Sequence, residues 1–373
     1  MAEIYGLIDC NNVYVSCERV FKPELEEQPV VVLSNNDGNI IARSNEAKNL
    51  GITMGMPLFK AKPIIEKNGV TWFSSNYSLY GDMSRRVMDT IDQFVPALEH
   101  YSIDEAFVNF EQKSSETDAH KIKTTVKKWT GIPVSVGIGS TKVLAKIANV
   151  IAKKNPKLGV VVDLSGAETD KYLKDFDVAD IWGIGRRYAQ FLKSDDKSNN
   201  LQLDLWQVAG FGRMREKPKI ETALDLKNCN DQWIRKHLTI KGLRLVWELR
   251  GISCLPLELF EKPKKGICCS RSFGQGIKAI EDLREAVAMH AARAGEKLRR
   301  NNLAASHVTV FISTSRFRLN PNEIERIQKS RLVMNKAEDI ADFIMRQQVK
   351  KRIVRVIHFV RIFERPAVLS LVR

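Results

Sequence analysis

Three groups of residues in this 373-residue chain have the types and spacing to do chemistry. The first is acidic. Ile4–Ile8 is a short apolar run, read as a buried strand that ends at Asp9. Asp104 and Glu105 stand together in Tyr101-Ser-Ile-Asp-Glu-Ala-Phe107, between two strand-like runs. An acidic pair so placed is costly to bury unless a cation compensates it. A third carboxylate ending a neighbouring strand completes an oxygen cage suited to Mg²⁺. Two such ions bridge incoming phosphates and activate a hydroxyl for in-line attack. A solvated hairpin tip would carry the same residues.

The second group is Gly137-Ile-Gly-Ser-Thr-Lys142, followed by Lys146 and Lys153. Small residues opening a helix leave free N–H groups suited to a phosphate, and the three lysines fall on about one helix face. A solvated lysine stripe is the ordinary alternative. The Walker-type phosphate loop is absent. The third group is Asp180-Ile-Trp-Gly-Ile-Gly-Arg-Arg187, which opens a helical run through Leu192. Glycine lets backbone approach a phosphate closely because no Cβ intervenes, and helix N-terminal amides grip phosphate without reading sequence. An ordinary helix–helix turn would look similar.

The elements that must position these groups follow from periodicity and turn residues. Strands are expected at 4–8, 29–33, 39–43, 98–101, 106–110, 134–138 and 159–163. Helices are expected at 44–50, 57–68, 78–94, 119–130 and 142–153. The pattern is α+β, with strands scattered among helices. From Lys171 to about Leu249 nearly everything reads as helix, and Glu261–Gly266 reads as a Pro/Lys-rich linker. A strand–helix–strand unit follows at 268–273, 283–301 and 306–314, then a charged helical stretch at 320–348 and a β-branched strand at 354–363.

Composition narrows the class. The chain is 44% apolar and 28% charged, a globular balance that excludes disorder throughout. No 18-residue window runs apolar without charge, so no membrane span is expected, and the N-terminus has no secretory pattern. The cysteines, Cys10, Cys17, Cys229, Cys254, Cys268 and Cys269, form no C-x-x-C pair, which fits a reducing cytosol rather than a disulfide framework or zinc site. Residues 1–182 carry 21 Lys/Arg against 24 Asp/Glu, whereas 183–373 carry 38 against 20. A half with net charge +18 points to a polyanion partner.

Taken jointly, several segments resemble the Y-family translesion DNA polymerases, and within them the UmuC-type catalytic subunits of bacterial DNA polymerase V. They are 8–18, 32–38, 41–48, 77–83, Tyr101–Ala106, 137–146, Trp182–Gly185 and Cys269–Gly274. The resemblance runs to about residue 320. It implies a multidomain right-hand polymerase: palm at 1–30 and 76–168, small fingers at 31–75, helical thumb at 169–250, linker at 251–266, α/β little finger at 267–350 and a C-terminal segment at 351–373. It implies a palm metal site of Asp9, Asp104 and Glu105 with the carbonyl of Cys10, holding two Mg²⁺ ions. Tyr14 would be the steric gate under the deoxyribose, and Lys48 and Lys153 would meet the dNTP triphosphate. Gly183, Gly185, Arg186, Arg187, Lys142, Lys146 and Arg271 would contact DNA.

The implied partners are primer–template DNA, a processed UmuD-type dimer and RecA, and the implied setting is the bacterial cytoplasm at the nucleoid, in an SOS-type response. A sliding-clamp peptide is not recognised: Leu257-Glu-Leu-Phe260 has that look but lacks the leading Gln and precedes the linker. A cyclase or reverse transcriptase on a similar palm, and a non-catalytic DNA-binding protein, are the competing classes. The thumb turn and the basic second half weigh against a cyclase, which needs no duplex grip, and the presence of all three carboxylates weighs against a non-catalytic DNA-binding protein.

Overall fold

The computed structural model describes residues 3–110, 115–154, 161–194, 219–260, 264, 266–270, 279–305, 307–311 and 359–363. The chain divides into two units, Met1–Phe260 and Glu261–Arg373.

The first unit opens with β1 (Ile4–Cys10) and α1 (Val13–Phe21). Next come β2 (Val30–Leu33), β3 (Ile40–Arg43), α2 (Asn45–Asn49), α3 (Leu58–Asn68) and β4 (Thr71–Ser74). They are followed by α4 (Tyr77–Asp92), β5 (Ala97–His100), β6 (Glu105–Phe110), α5 (Ser115–Thr130), β7 (Val134–Gly139), α6 (Lys142–Lys154) and β8 (Val161–Leu164). From there the described elements are helical: α7 (Thr169–Lys174), α8 (Arg186–Lys193), α9 (Ala223–Lys227) and α10 (Asp231–Leu249), the last broken at Thr239, whose φ is +66°.

Two of these go unread in the sequence. Val13-Tyr-Val-Ser-Cys17 is β-branched and looks strand-like, yet it is helical. The chain turns out of β1 at Asn12, which adopts left-handed backbone (φ 48°, ψ 46°) and starts α1 at once. Thr71–Ser74 is too short for alternation to reveal, and becomes a strand by pairing in parallel with β2.

Five strands form one sheet in the order β5-β6-β1-β7-β8. β1 lies at its centre, antiparallel to both β6 and β7. Every β1 residue is buried because both faces are covered. Ile4, Ile8 and Cys10 point into a core shared with α1, α4 and α5. Tyr5 and Leu7 point the other way, with Phe107 and Ala145 of α6. The second, three-stranded sheet has the order β3-β2-β4. Val31, Leu33 and Ile40 pack there against Ala47, Ala61 and Ile65 from α2 and α3, and Val30, Val32 and Ala42 join the large core. The helical elements share a further core with α6, through Val143, Ile147 and Ile151 against Leu173, Leu192, Leu226 and Val246. Residues 253–257 of the expected linker lie on this unit: Cys254 and Leu255 N–H groups bond Glu248, and Leu257 packs beside Tyr5 and Leu7.

The second unit contains α11 (Ile280–Arg300), β9 (His307–Phe311) and β10 (Phe359–Phe363), with the two strands antiparallel. Cys269 packs on Ala294 and Leu298 of the helix. The expected strand at 268–273 is corrected in part: 268–270 are not in a strand, and 271–273 lie outside the described residues. The charged stretch at 320–348 also lies outside them.

Candidate active site

Strand alternation decides which carboxylates meet. Odd-numbered residues of β1 face α6, so Asp9 emerges on the same side as Tyr5 and Leu7. Asp9 pairs directly with Glu105 on β6, and partners in an antiparallel ladder point to one face. Asp104 precedes Glu105 in the β5–β6 turn, where its carbonyl accepts the Cys10 N–H (2.8 Å) and its carboxylate accepts the Ser102 hydroxyl (2.6 Å). The three acidic residues named from the sequence thus share one edge of the sheet.

Helix α6 lies over that edge, and its lysines each meet a carboxylate. Lys142 pairs with Glu99, Lys146 with both oxygens of Glu105 (3.0 and 3.1 Å) and Lys153 with Asp9. Burial pushes the Asp9 carboxyl up to about 7; Glu105 and Asp104 add to the rise and Lys153 opposes it. Two sequence expectations are corrected here. Lys142 is 3% exposed, pairs with Glu99 and donates to the Pro256 carbonyl (2.9 Å), so it is a core ion pair and not a DNA contact. Gly137 and Gly139 belong to buried β7, not to a phosphate loop. A Cβ at Gly137 would stand 2.2 Å from both the Ala145 oxygen and the Asn149 nitrogen, so glycine is required for α6 to lie this close. The α6 N-terminus is also taken: the Val143 N–H bonds Glu248 (3.2 Å) and the Leu144 N–H bonds Thr141 (3.3 Å).

Lys48 reaches across from α2 to Asn12 (2.7 Å) at the β1–α1 junction and also bonds Asn45 (3.0 Å) of its own helix. Burial holds its ammonium below the usual value; Arg43 and Lys153 lower it further, while Glu46 and Asp9 raise it. Lys48 and Lys153 therefore lie within each other's field and that of Asp9. Sequence reasoning passed over Arg43. Its Nε and Nη1 are buried with no hydrogen-bond acceptor among the described residues, a cost that only the folded arrangement reveals.

Tyr14, on the first turn of α1, stacks on Tyr80 (centroids 4.4 Å apart, 17° between planes) and meets Tyr77 edge-on at 6.1 Å. The Tyr80 hydroxyl donates to Glu18 (2.7 Å). Tyr14 is only partly buried, so the ring packs on the core and still faces outward. The Cys10 side chain points into the core and burial holds its thiol well above the usual range, which leaves its carbonyl as the group available to a metal.

Trp182–Gly185 turns the chain between helical elements as a hairpin: Gly183 has φ +97° and Gly185 precedes α8, whose first residues Arg186 and Arg187 are exposed. Trp182 donates from Nε1 to the Tyr101 hydroxyl (3.0 Å), tying the hairpin to the turn that carries Asp104. Arg271 lies outside the described residues.

The donor set fits a hard divalent cation: three carboxylates and a carbonyl, all oxygen, with no thiolate or imidazole among them. The fit shows in what stands there now, since the Lys153 ammonium neutralises Asp9. Among the described residues no three acidic, His or Cys side chains are drawn together as closely as a metal would draw them.

Comparison with known proteins gives the fold and the family. The fold is that of a Y-family, right-hand DNA polymerase. A Dbh–Dpo4 chimera of that family superposes with a TM-score of 0.68 over 96% of this chain and 98% of its own, at 20% identity. DinB from Sulfolobus solfataricus does so with 0.55 over 97% and 98%, at 23% identity. At these identities the likeness is one of fold. In sequence, the chain belongs to the impB/mucB/samB family: its profile matches residues 8–150, and that of the family's C-terminal domain matches 264–351. Protein UmuC of Salmonella typhimurium is 44% identical over 323 residues, 85% of this chain and 71% of the relative. Protein MucB of Escherichia coli is 37% identical over 357 residues, 94% and 79%. A DNA polymerase IV, from Picrophilus torridus, is 36% identical over 186 residues, 48% and 53%.

Proposed function

We propose that the chain is a DNA-directed DNA polymerase of the error-prone translesion kind, inserting dNTPs opposite damaged template bases in an SOS-type response. The observation that carries this reading is the pairing of Asp9 with Glu105 beside Asp104, with Lys48 and Lys153 close by. Family membership supports it.

Asp9, Asp104 and Glu105, with the Cys10 carbonyl, would hold two Mg²⁺ ions. Bound there, the ions supply positive charge against the triphosphate and acidify the primer hydroxyl. The chain's own residues do the rest by positioning and electrostatics. Lys48 and Lys153 draw the triphosphate in, Lys153 exchanging Asp9 for a phosphate. The Tyr14 ring lies under the deoxyribose. The primer 3′-oxygen attacks the α-phosphate and pyrophosphate leaves. The hairpin backbone at Gly183 and Gly185, with Arg186 and Arg187, holds DNA phosphates. On this reading 1–30 and 76–168 are the palm, 31–75 the fingers, 169–250 the thumb and 267–350 the little finger. A processed UmuD-type dimer and RecA are the proposed protein partners, in the bacterial cytoplasm at the nucleoid.

Primer extension past an abasic site, with and without Mg²⁺, tests the proposal. Mg²⁺-dependent incorporation on DNA templates is expected. A chain that shifts primer–template in a gel yet extends nothing would overturn it.

A further inference from the structure

Lys146 is enclosed by a carboxylate and three aromatic rings. Its ammonium bonds both Glu105 oxygens and lies 4.4 Å from the centroid of Tyr101, 5.4 Å from that of Trp182 and 6.0 Å from that of Phe107. The three rings hold one another: Tyr101 meets Phe107 edge-on at 5.3 Å and Trp182 at 5.6 Å, and Phe107 and Trp182 are 5.7 Å apart. The Lys146 and Glu105 side chains are each 18% exposed.

These groups come from three places in the chain. Lys146 is on α6, Tyr101 and Glu105 flank the turn that carries Asp104, and Trp182 is the residue before Gly183 in the hairpin. The turn is itself cross-braced. The Tyr101 and Ser102 N–H groups bond the Glu105 carbonyl (3.1 and 3.0 Å), and the Ser102 hydroxyl accepts the Glu105 N–H (3.0 Å). The Trp182 indole N–H to the Tyr101 hydroxyl closes the set.

We infer that Lys146 is a positioning residue for Glu105, and that Trp182 makes its grip answer to the placement of the hairpin. To reach a DNA phosphate, Lys146 would have to leave a carboxylate and three ring faces, stranding Glu105 with its charge uncompensated. Held where it is, it fixes the Glu105 side chain before any cation arrives, which removes ordering cost from that step. Trp182 couples this to the hairpin: a hairpin moved on the duplex moves the indole, and with it the Tyr101 ring and the ammonium beneath.

The inference rests on the polymerase reading, and the test separates the two. In the full-length chain three quantities are measured: affinity for primer–template without metal, the single-turnover rate against Mg²⁺ concentration, and Mg²⁺ binding without DNA by calorimetry. Lys146→Met is expected to leave DNA affinity within about twofold, and to weaken Mg²⁺ binding and slow incorporation by about 10- to 100-fold, the range for residues that orient a metal's ligands. Lys146→Arg should restore most of both. Trp182→Phe keeps a ring but loses the N–H bond, and should shift Mg²⁺ dependence in the same direction by a few-fold, with an unchanged melting temperature as its control. Loss of DNA affinity alone in Lys146→Met, or Mg²⁺ binding unchanged in both Lys146→Met and Trp182→Phe, would overturn the inference. Failure of the wild-type chain to extend any primer would instead sink the polymerase reading, and the calorimetric titration would still report on Glu105.

Discussion

At the scale of single residues, Asp104 and Tyr14 separate chemistry from packing. Asp104→Asn keeps an oxygen for the Ser102 hydroxyl and removes only a charge. Incorporation is expected to fall by about 10³-fold or more, because several kcal/mol of transition-state stabilisation are lost. DNA affinity should be nearly intact, since the basic half supplies that grip; a gel shift beside single-turnover kinetics checks both. On the proposed reading Tyr14 has two jobs at once. Its ring is stacked on Tyr80 and is only partly buried. Tyr14→Ala should raise the ratio of ribonucleotide to deoxyribonucleotide incorporation, because exclusion by a ring is steric. It should also cost stability, read as a lower melting temperature, by less than the ~3–5 kcal/mol of truncating a fully buried aromatic. An unchanged incorporation ratio in the folded variant would remove Tyr14 from the site.

At the scale of elements, α6 owes its place to missing atoms on β7. Gly137→Ala would drive a methyl into the helix backbone at Ala145 and Asn149. Backbone cannot step aside as a side chain can, so the loss should reach the upper end of overpacking, about 3 kcal/mol. Gly166→Ala, where a Cβ meets nothing within 4 Å, should change the melting temperature little. The α9–α10 junction offers a pH test. Asp231 accepts the Trp247 indole N–H (3.0 Å) and the Arg250 guanidinium (2.6 Å). The Trp247 bond first, and then Arg250, hold its carboxyl below the ordinary value of 3.8. A lowered folded value means that the unfolded chain takes up the proton first as pH falls, so the stabilisation is present above about pH 4 and is lost below it. Asp231→Asn should therefore melt lower than wild type at neutral pH and converge with it near pH 3. The gap should be modest, about 1 kcal/mol or less, because the pair is exposed.

At the scale of the whole molecule, charge is divided along the chain. Residues 183–373 hold 38 of the 59 Lys/Arg, and the acidic site lies in the other half. Binding to primer–template should weaken steeply with salt, with log K falling against log[salt] at about −0.9 per phosphate neutralised. Replacing Arg186 and Arg187 together by Ala should make that slope shallower by about two phosphates' worth and leave sequence preference unchanged. An unaltered slope would place the DNA elsewhere. No described helix is long and apolar enough to cross a membrane.

What could be read from the sequence alone was whatever short-range pattern encodes. Apolar runs marked the strands on which Asp9 and Glu105 sit, and 3.6-residue spacing marked α4 and α6. The three carboxylates were legible because acidic residues at strand ends are unusual and stand next to apolar runs. What only tertiary structure decided is which groups neutralise one another. Lys142, Lys146 and Lys153 share one helix face in the sequence and look equivalent. The sheet beneath gives each a different carboxylate, and depth then makes one a core ion pair and leaves another at the mouth of the site. The glycines before them read as a helix opening suited to a phosphate because sequence reports that a Cβ is missing, not what approaches the space. Helix α1 was hidden for a related reason: its β-branched start favours a strand locally, and the left-handed turn at Asn12 together with the core contacts of Val13, Val15 and Cys17 overrides that preference.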